Sequence, residues 1–109
     1  MKKYSIAVMP TAFQQIDEFI SHLINEGNPL NAEKWKTEII QTISSLTSMP
    51  ESHSFAREND LLPEVQVRHL VFKAHRIIFT IDEKESKVYI HQVRHAAMRR
   101  AGLKELQPK

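Results

Sequence analysis

The chain has no cysteine, which removes disulfides, thiolate nucleophiles and Cys-ligated zinc or iron–sulfur sites. Glycine is almost as scarce, with 2 in 109 residues, and no Gly-rich phosphate loop is present. Nucleophile-elbow, HExxH and paired zinc-ligand spacings are missing too, so the standard hydrolase and metalloprotease readings fall away. The longest apolar run, IAVM at 6–9, has four residues, against the roughly 20 that cross a bilayer. The opening MKKYSIAVMPTAFQQ has too short an apolar stretch for a signal peptide, so a cytoplasmic protein with no membrane contact is expected.

What remains is an ordinary globular balance, 41% apolar and 26% charged, expected to fold as one domain over residues 1–109. Only about residues 101–109 read as a flexible tail. The net charge of +2 conceals an asymmetry. Residues 1–65 hold 5 Lys/Arg against 9 Asp/Glu, whereas residues 66–109 hold 10 against 4 and four of the six histidines. A basic half of this kind suits a nucleic acid or an acidic protein surface, or is simply solvated.

KYSIAV alternates Tyr4, Ile6 and Val8 on one face, the signature of a strand over 3–9. Pro10 stops it, and Thr11 with Gln14 reads as a capping box that starts a helix at Ala12. Phe13, Ile16, Ile20, Leu23 and Ile24 then form an apolar stripe, and Gly27 ends the helix. A second helix begins with Asn28 or Asn31 as cap, buries Ala32, Trp35, Ile39, Ile43 and Leu46, and ends near Met49 before Pro50. Trp35 and Phe13 are both expected in the core.

After an irregular loop at 51–63 come three strand signals, 64–72, 75–81 and 87–93, joined by turns short enough only for hairpins. The expected fold is α+β in two layers: an N-terminal strand, an α-hairpin, and a three-stranded antiparallel meander, forming one small sheet. In the middle strand Ile77, Phe79 and Ile81 should lie under the helices, leaving Arg76, Ile78 and Thr80 on an open, partly polar face.

That face collects the candidate chemistry: Arg76, His91, Arg94, His95 and Arg99, with Arg68, His69 and Lys73 on the preceding strand. Cations there could hold a phosphodiester, while a neutral His91 or His95 acts as base toward a ribose 2′-hydroxyl. The bland alternative pairs Arg76 with a carboxylate such as Asp82 or Glu64 and leaves Arg99 and Arg100 to solubilise a tail. His91 and His95 are four apart, but in a strand that spacing brings no other ligand into view, so neither metal nor cofactor is expected.

Layout and residues together resemble the RelE/ParE superfamily, toxins of bacterial type II toxin–antitoxin systems also described as plasmid stabilisation proteins. The resemblance runs from about residue 3 to 100. It rests on YSIAVMPTAFQQIDEFISHLI, NAEKWKTEIIQTISSLTSMP, VRHLVFKAHRIIFTID and VYIHQVRHAAMR, in that order and spacing.

The resemblance implies a compact toxin held inactive by a cognate antitoxin, as a homodimer or a heterotetramer with it. RelE-like members cut messenger RNA on the ribosome without a metal; ParE-like members poison DNA gyrase. Arg76 in HRIIF matches the family's Tyr-Arg arginine, which holds phosphate in the RNA-cutting branch, with His75 in place of the tyrosine. That branch's second arginine falls near Ala96, and its C-terminal tyrosine has no counterpart, the last tyrosine being Tyr89. The closing VRHAAMR and the longer helices look more like the ParE branch, which implies a gyrase-directed toxin touching its target through Arg68, Lys73, Arg76, Arg94 and Arg99. In the endoribonuclease alternative Arg76, His95 and His91 carry the catalysis; a third reading is a member that has lost toxicity.

Overall fold

A computed structural model describes residues 2–60 and 66–96. Strand β1 (Ser5–Val8) leads into α1 (Pro10–Asn25), then α2 (Pro29–Ser44) and a 3₁₀ turn at Ser45–Thr47. Further 3₁₀ turns at Pro50–Ser52 and Arg57–Asp60 precede β2 (Arg68–Phe72), β3 (His75–Asp82) and β4 (Lys87–His95). The sheet order is β1-β4-β3-β2, with β4 antiparallel to β3 and parallel to β1. This is the expected two-layer arrangement. Among the described residues no helix is long and apolar enough to cross a membrane. Arg99, Arg100, Glu64 and the tail expected at 101–109 lie outside the described residues.

The core forms where the helical stripes meet one face of the sheet: Trp35, Ile39, Ile43 and Leu46 against Ile77, Phe79, Ile81, Val88 and Ile90. Trp35 packs on Phe19 at 4.7 Å and on Phe72 and His75 at 5.6 Å between ring centres, offset or edge-on geometries that ring quadrupoles favour. Helix α1 closes at Gly27, whose φ of +82° lets Asn28 N–H reach back to the Leu23 carbonyl at 2.9 Å, a left-handed stop that glycine makes without Cβ strain.

Several local expectations are corrected. Helix α1 starts at Pro10, with Met9 as N-cap and no side-chain cap bond; proline at the first position begins the helix earlier than a Thr11 capping box would. Asn28 is the N-cap of α2, again without a side-chain bond. The α-helix stops at Ser44 and tightens into the 3₁₀ turn, whose Thr47 carbonyl accepts from Tyr4 N–H at 3.0 Å. Phe13 and Ile24 are 57% and 51% exposed rather than core; the buried side of α1 is instead Ala12, with Ile16, Phe19, Ile20 and Leu23 partly covered.

Met49, also more than half exposed, holds φ +51° before Pro50. A side chain pays for that conformation where glycine does not, so Met49→Gly should stabilise the protein by about 0.5 to 1 kcal/mol, seen as a higher melting temperature. An unchanged or lower melting temperature would mean that Met49 makes packing contacts worth as much as the relieved strain.

Candidate interaction surfaces and the buried polar face

The face of the sheet away from the helices is not open. Arg76, Ile78, Thr80, His91 and Arg94 are all 5% exposed or less. Part of the cover is the segment between α2 and β2, which runs along the outer edge of β2. There Phe55 bridges Arg68, His69 N–H donates to the Ser54 carbonyl at 3.1 Å, and Ala56 N–H donates to the Val67 carbonyl at 2.8 Å. Asn59 Oδ1 accepts from Val67 N–H at 2.8 Å. These bonds carry Glu58, fully buried, over the sheet.

Glu58 meets Arg76 in a two-pronged ion pair: Nη1 donates to Oε1 at 3.0 Å and Nη2 to Oε2 at 2.8 Å. Arg76 thus pairs with Glu58 rather than with Asp82. Fork-to-fork contact is the strongest geometry available to the two groups, and it occupies the end of the guanidinium that would otherwise grip a phosphate. His69 Nδ1 lies 3.5 Å from Arg76 Nη1, and burial, reinforced by the Arg76 charge, lowers the His69 pKa.

His91 owes its place to a bulge. The register between β3 and β4 pairs Ile78 with Gln92 but Phe79 with Ile90, leaving His91 as the extra residue. Its Nε2 lies 2.8 Å from Thr80 Oγ1, and burial pushes its pKa down to about 4. The bulge also resolves the register of the last strand: Arg94 sits opposite Arg76, and His95 opposite His75. His75 is on the helical side, with Phe19 at 4.6 Å. His95 is therefore separated by the sheet from Arg76 and His91, although all three are sequence-level candidates for one site.

The remaining cations are dispersed. Arg68 stacks on Phe55 at 4.1 Å and donates to the His53 carbonyl at 2.6 Å. Lys73, in the β2–β3 turn, pairs with Glu38 of α2 at 2.5 Å. Arg94 Nη1 donates to Gln92 Oε1 at 3.3 Å, and Gln92 in turn accepts from Gln15 of α1 at 2.7 Å.

An apolar groove was invisible to sequence reading. Ile6, Val8, Phe13, Ile16, Ile40 and Ile43, with Lys36 and Ser44 at its border, enclose about 290 Å³ between β1 and the two helices. Among the described residues, strand β1 has only β4 as a neighbour in the sheet. Ser5 N–H donates to the Ser86 carbonyl just before β4 and Met9 N–H to the Ile90 carbonyl within it, so the backbone groups of Ile6 and Val8 point to the free edge. Exposed Phe13 and Ile40 beside an unpaired strand make a surface of the kind that takes up a partner segment. No spacing in the sequence marks it, because Phe13 stands seven residues, about two turns, before Ile20 and so shares its side of the helix.

A family model described as the ParE toxin of type II toxin–antitoxin system, parDE, matches residues 6–100. No curated protein matches the chain. Among solved structures, a chain of the chromosomal ParDE TA system from P. aeruginosa is 16% identical with a TM-score of 0.69, over 85% of this chain and 96% of that one. A chain of the toxin–antitoxin complex RelBE2 from Mycobacterium tuberculosis is 14% identical with a TM-score of 0.58, over 85% and 98%. At these identities the likeness establishes the fold.

Proposed function

Since this chain belongs to the ParE toxin family of type II toxin–antitoxin systems, we propose that it arrests growth by binding DNA gyrase and is neutralised by a cognate antitoxin. The observation that carries the gyrase reading over the endoribonuclease is the burial of Arg76 and His91. An RNA-cutting site needs its phosphate grip and its base within reach of substrate; here one is clasped by Glu58 and the other is sealed behind Thr80. A protein-binding toxin needs only its surface, and the half-buried Arg68 with its Phe55 platform, together with Lys73, supplies cationic contacts there.

Inducing the chain without antitoxin should produce gyrase-dependent DNA breaks while transcripts stay intact. Transcript cuts at the ribosomal A site with intact DNA would replace this reading by the endoribonuclease, and unaffected growth would leave only a non-toxic member.

The antitoxin's place is the apolar groove. Its free strand edge suits an extended or helical segment with apolar side chains, and Lys36 favours a carboxylate on that segment. Placing Asp at both Phe13 and Ile40 should weaken antitoxin binding by about 2 kcal/mol or more, as buried apolar anchors usually do, while growth arrest persists. Titration calorimetry with the purified antitoxin reads this directly, and an unchanged affinity would put the antitoxin on another face.

A further inference from the structure

The outer edge of β2 is covered along only part of its length. The segment that bridges it at Phe55 makes its last backbone bond at Ser54, whose carbonyl accepts from His69 N–H, and the residues before it form the 3₁₀ turn at Pro50–Ser52. Residues that face out of an antiparallel strand alternate, so Val71 turns its N–H and C=O the same way as Val67 and His69. Among the described residues neither group has a strand partner on that side, and the Val71 side chain is 60% exposed. We propose that this free part of the edge takes up an extended acidic segment of the toxin's protein target as an added strand, an inference that rests on the target reading above.

The bare edge is the first support. Edges left open are usually blunted by a lysine, a proline or a bulge within the strand, because they invite pairing with another chain. Position 71 instead carries an exposed, apolar, β-branched side chain, a type that suits a paired strand. An incoming antiparallel strand would exchange two backbone hydrogen bonds with Val71 and set an apolar side chain beside it on the outer face.

Charge selects the occupant. Lys73 stands at the open end of β2 and pairs with Glu38, its own side chain still 49% exposed. Lys34, one turn before Glu38 on α2 and exposed, acts on the same carboxylate, so two lysines stand against one acid. Carboxylates on a segment that runs along Val71 toward this end are attracted there, and a basic segment is repelled. A second copy of the chain fits less well. Pairing Val71 with Val71 about a two-fold axis would set Lys73 opposite His69, where Ser54 is already bonded. The antitoxin has its own strand edge at β1.

The test titrates the isotope-labelled full chain with the capped peptide Asp-Glu-Thr-Val-Thr-Ser, followed by amide NMR, and measures binding of the same chain to purified DNA gyrase. The Val71 and Phe72 amide signals should shift together, and a peptide with Asn-Gln in place of Asp-Glu should bind more weakly by about fivefold. Val71→Pro deletes the outward N–H at a position where edge strands tolerate proline, and should weaken peptide and gyrase binding by about tenfold, the value of one lost hydrogen bond. Lys34→Gln with Lys73→Gln leaves the strand itself unchanged and should weaken both by about threefold at low salt, the difference shrinking as salt is added. Peptide binding without gyrase binding in the wild type would remove gyrase as the target and keep the edge as the site for an acidic segment. Equal gyrase affinity in wild type and both variants, peptide shifts at Ile6 and Val8 instead of Val71, or self-association that Val71→Pro abolishes would overturn the proposal.

Discussion

Replacing Arg76 with alanine will destabilise the fold by about 3 to 5 kcal/mol, the usual consequence of leaving one member of a buried ion pair behind. Glu58 is fully buried and takes both arms of the Arg76 guanidinium. Without Arg76 it loses both of those charge-assisted bonds while its carboxylate stays out of water. A loss of this size is a large share of a small domain's stability, which runs to about 5 to 15 kcal/mol. Urea unfolding at neutral pH measures it.

The informative comparison is the double variant Arg76→Met with Glu58→Leu. Removing both charges removes both desolvation costs, so the double variant should lie far nearer to wild type than Arg76→Ala does. If the two are equally unstable, the ion pair is not the source of the loss. The same pair of variants separates structure from function. In the gyrase reading the refolded double variant stays toxic, because Arg76 never reaches the surface; in the endoribonuclease reading it is inactive.

Acidification will weaken the protein through His91. Its folded pKa is about 4 against an ordinary 6.5, so between those values the unfolded chain holds a proton that the folded one excludes. Folding then releases a proton, and stability rises with pH across the window. The contribution is complete above about pH 6.5 and lost progressively as the pH falls toward 4, with a total of about 3 kcal/mol at 1.36 kcal/mol per unit. His91→Gln keeps a polar group near Thr80 Oγ1 but does not titrate. Denaturation midpoints from pH 7 to pH 4 should fall more steeply in wild type than in this variant. Parallel profiles would show that other groups, the half-buried His69 among them, carry the acid sensitivity instead.

The architecture was legible because periodicity and punctuation are local. Alternation in KYSIAV, three- and four-residue spacing from Ile16 to Leu46, the stops at Pro10 and Gly27, and turns too short for anything but hairpins all act within a few residues of themselves. The boundaries moved where a competing local preference won, as at Pro10. Phe13 was misplaced because it fits the helical spacing of the stripe, while the angle at which α1 meets α2 and β1 decides which side of that stripe is covered.

The sequence by itself determined the two-layer α+β fold, the order of its elements, the charge division between its halves and the toxin family those features resemble. Only the tertiary structure decided which bases share a place. One extra residue in β4 puts His91 behind Thr80 and turns His95 toward His75, since a single-residue shift exchanges the faces of a strand. A contact between residues 18 apart in sequence closes Glu58 over Arg76. Both outcomes depend on pairings between distant segments, whose register no local pattern records. The basic cluster that reads as one site along the chain is thereby divided between a sealed polar face and the helical side of the sheet.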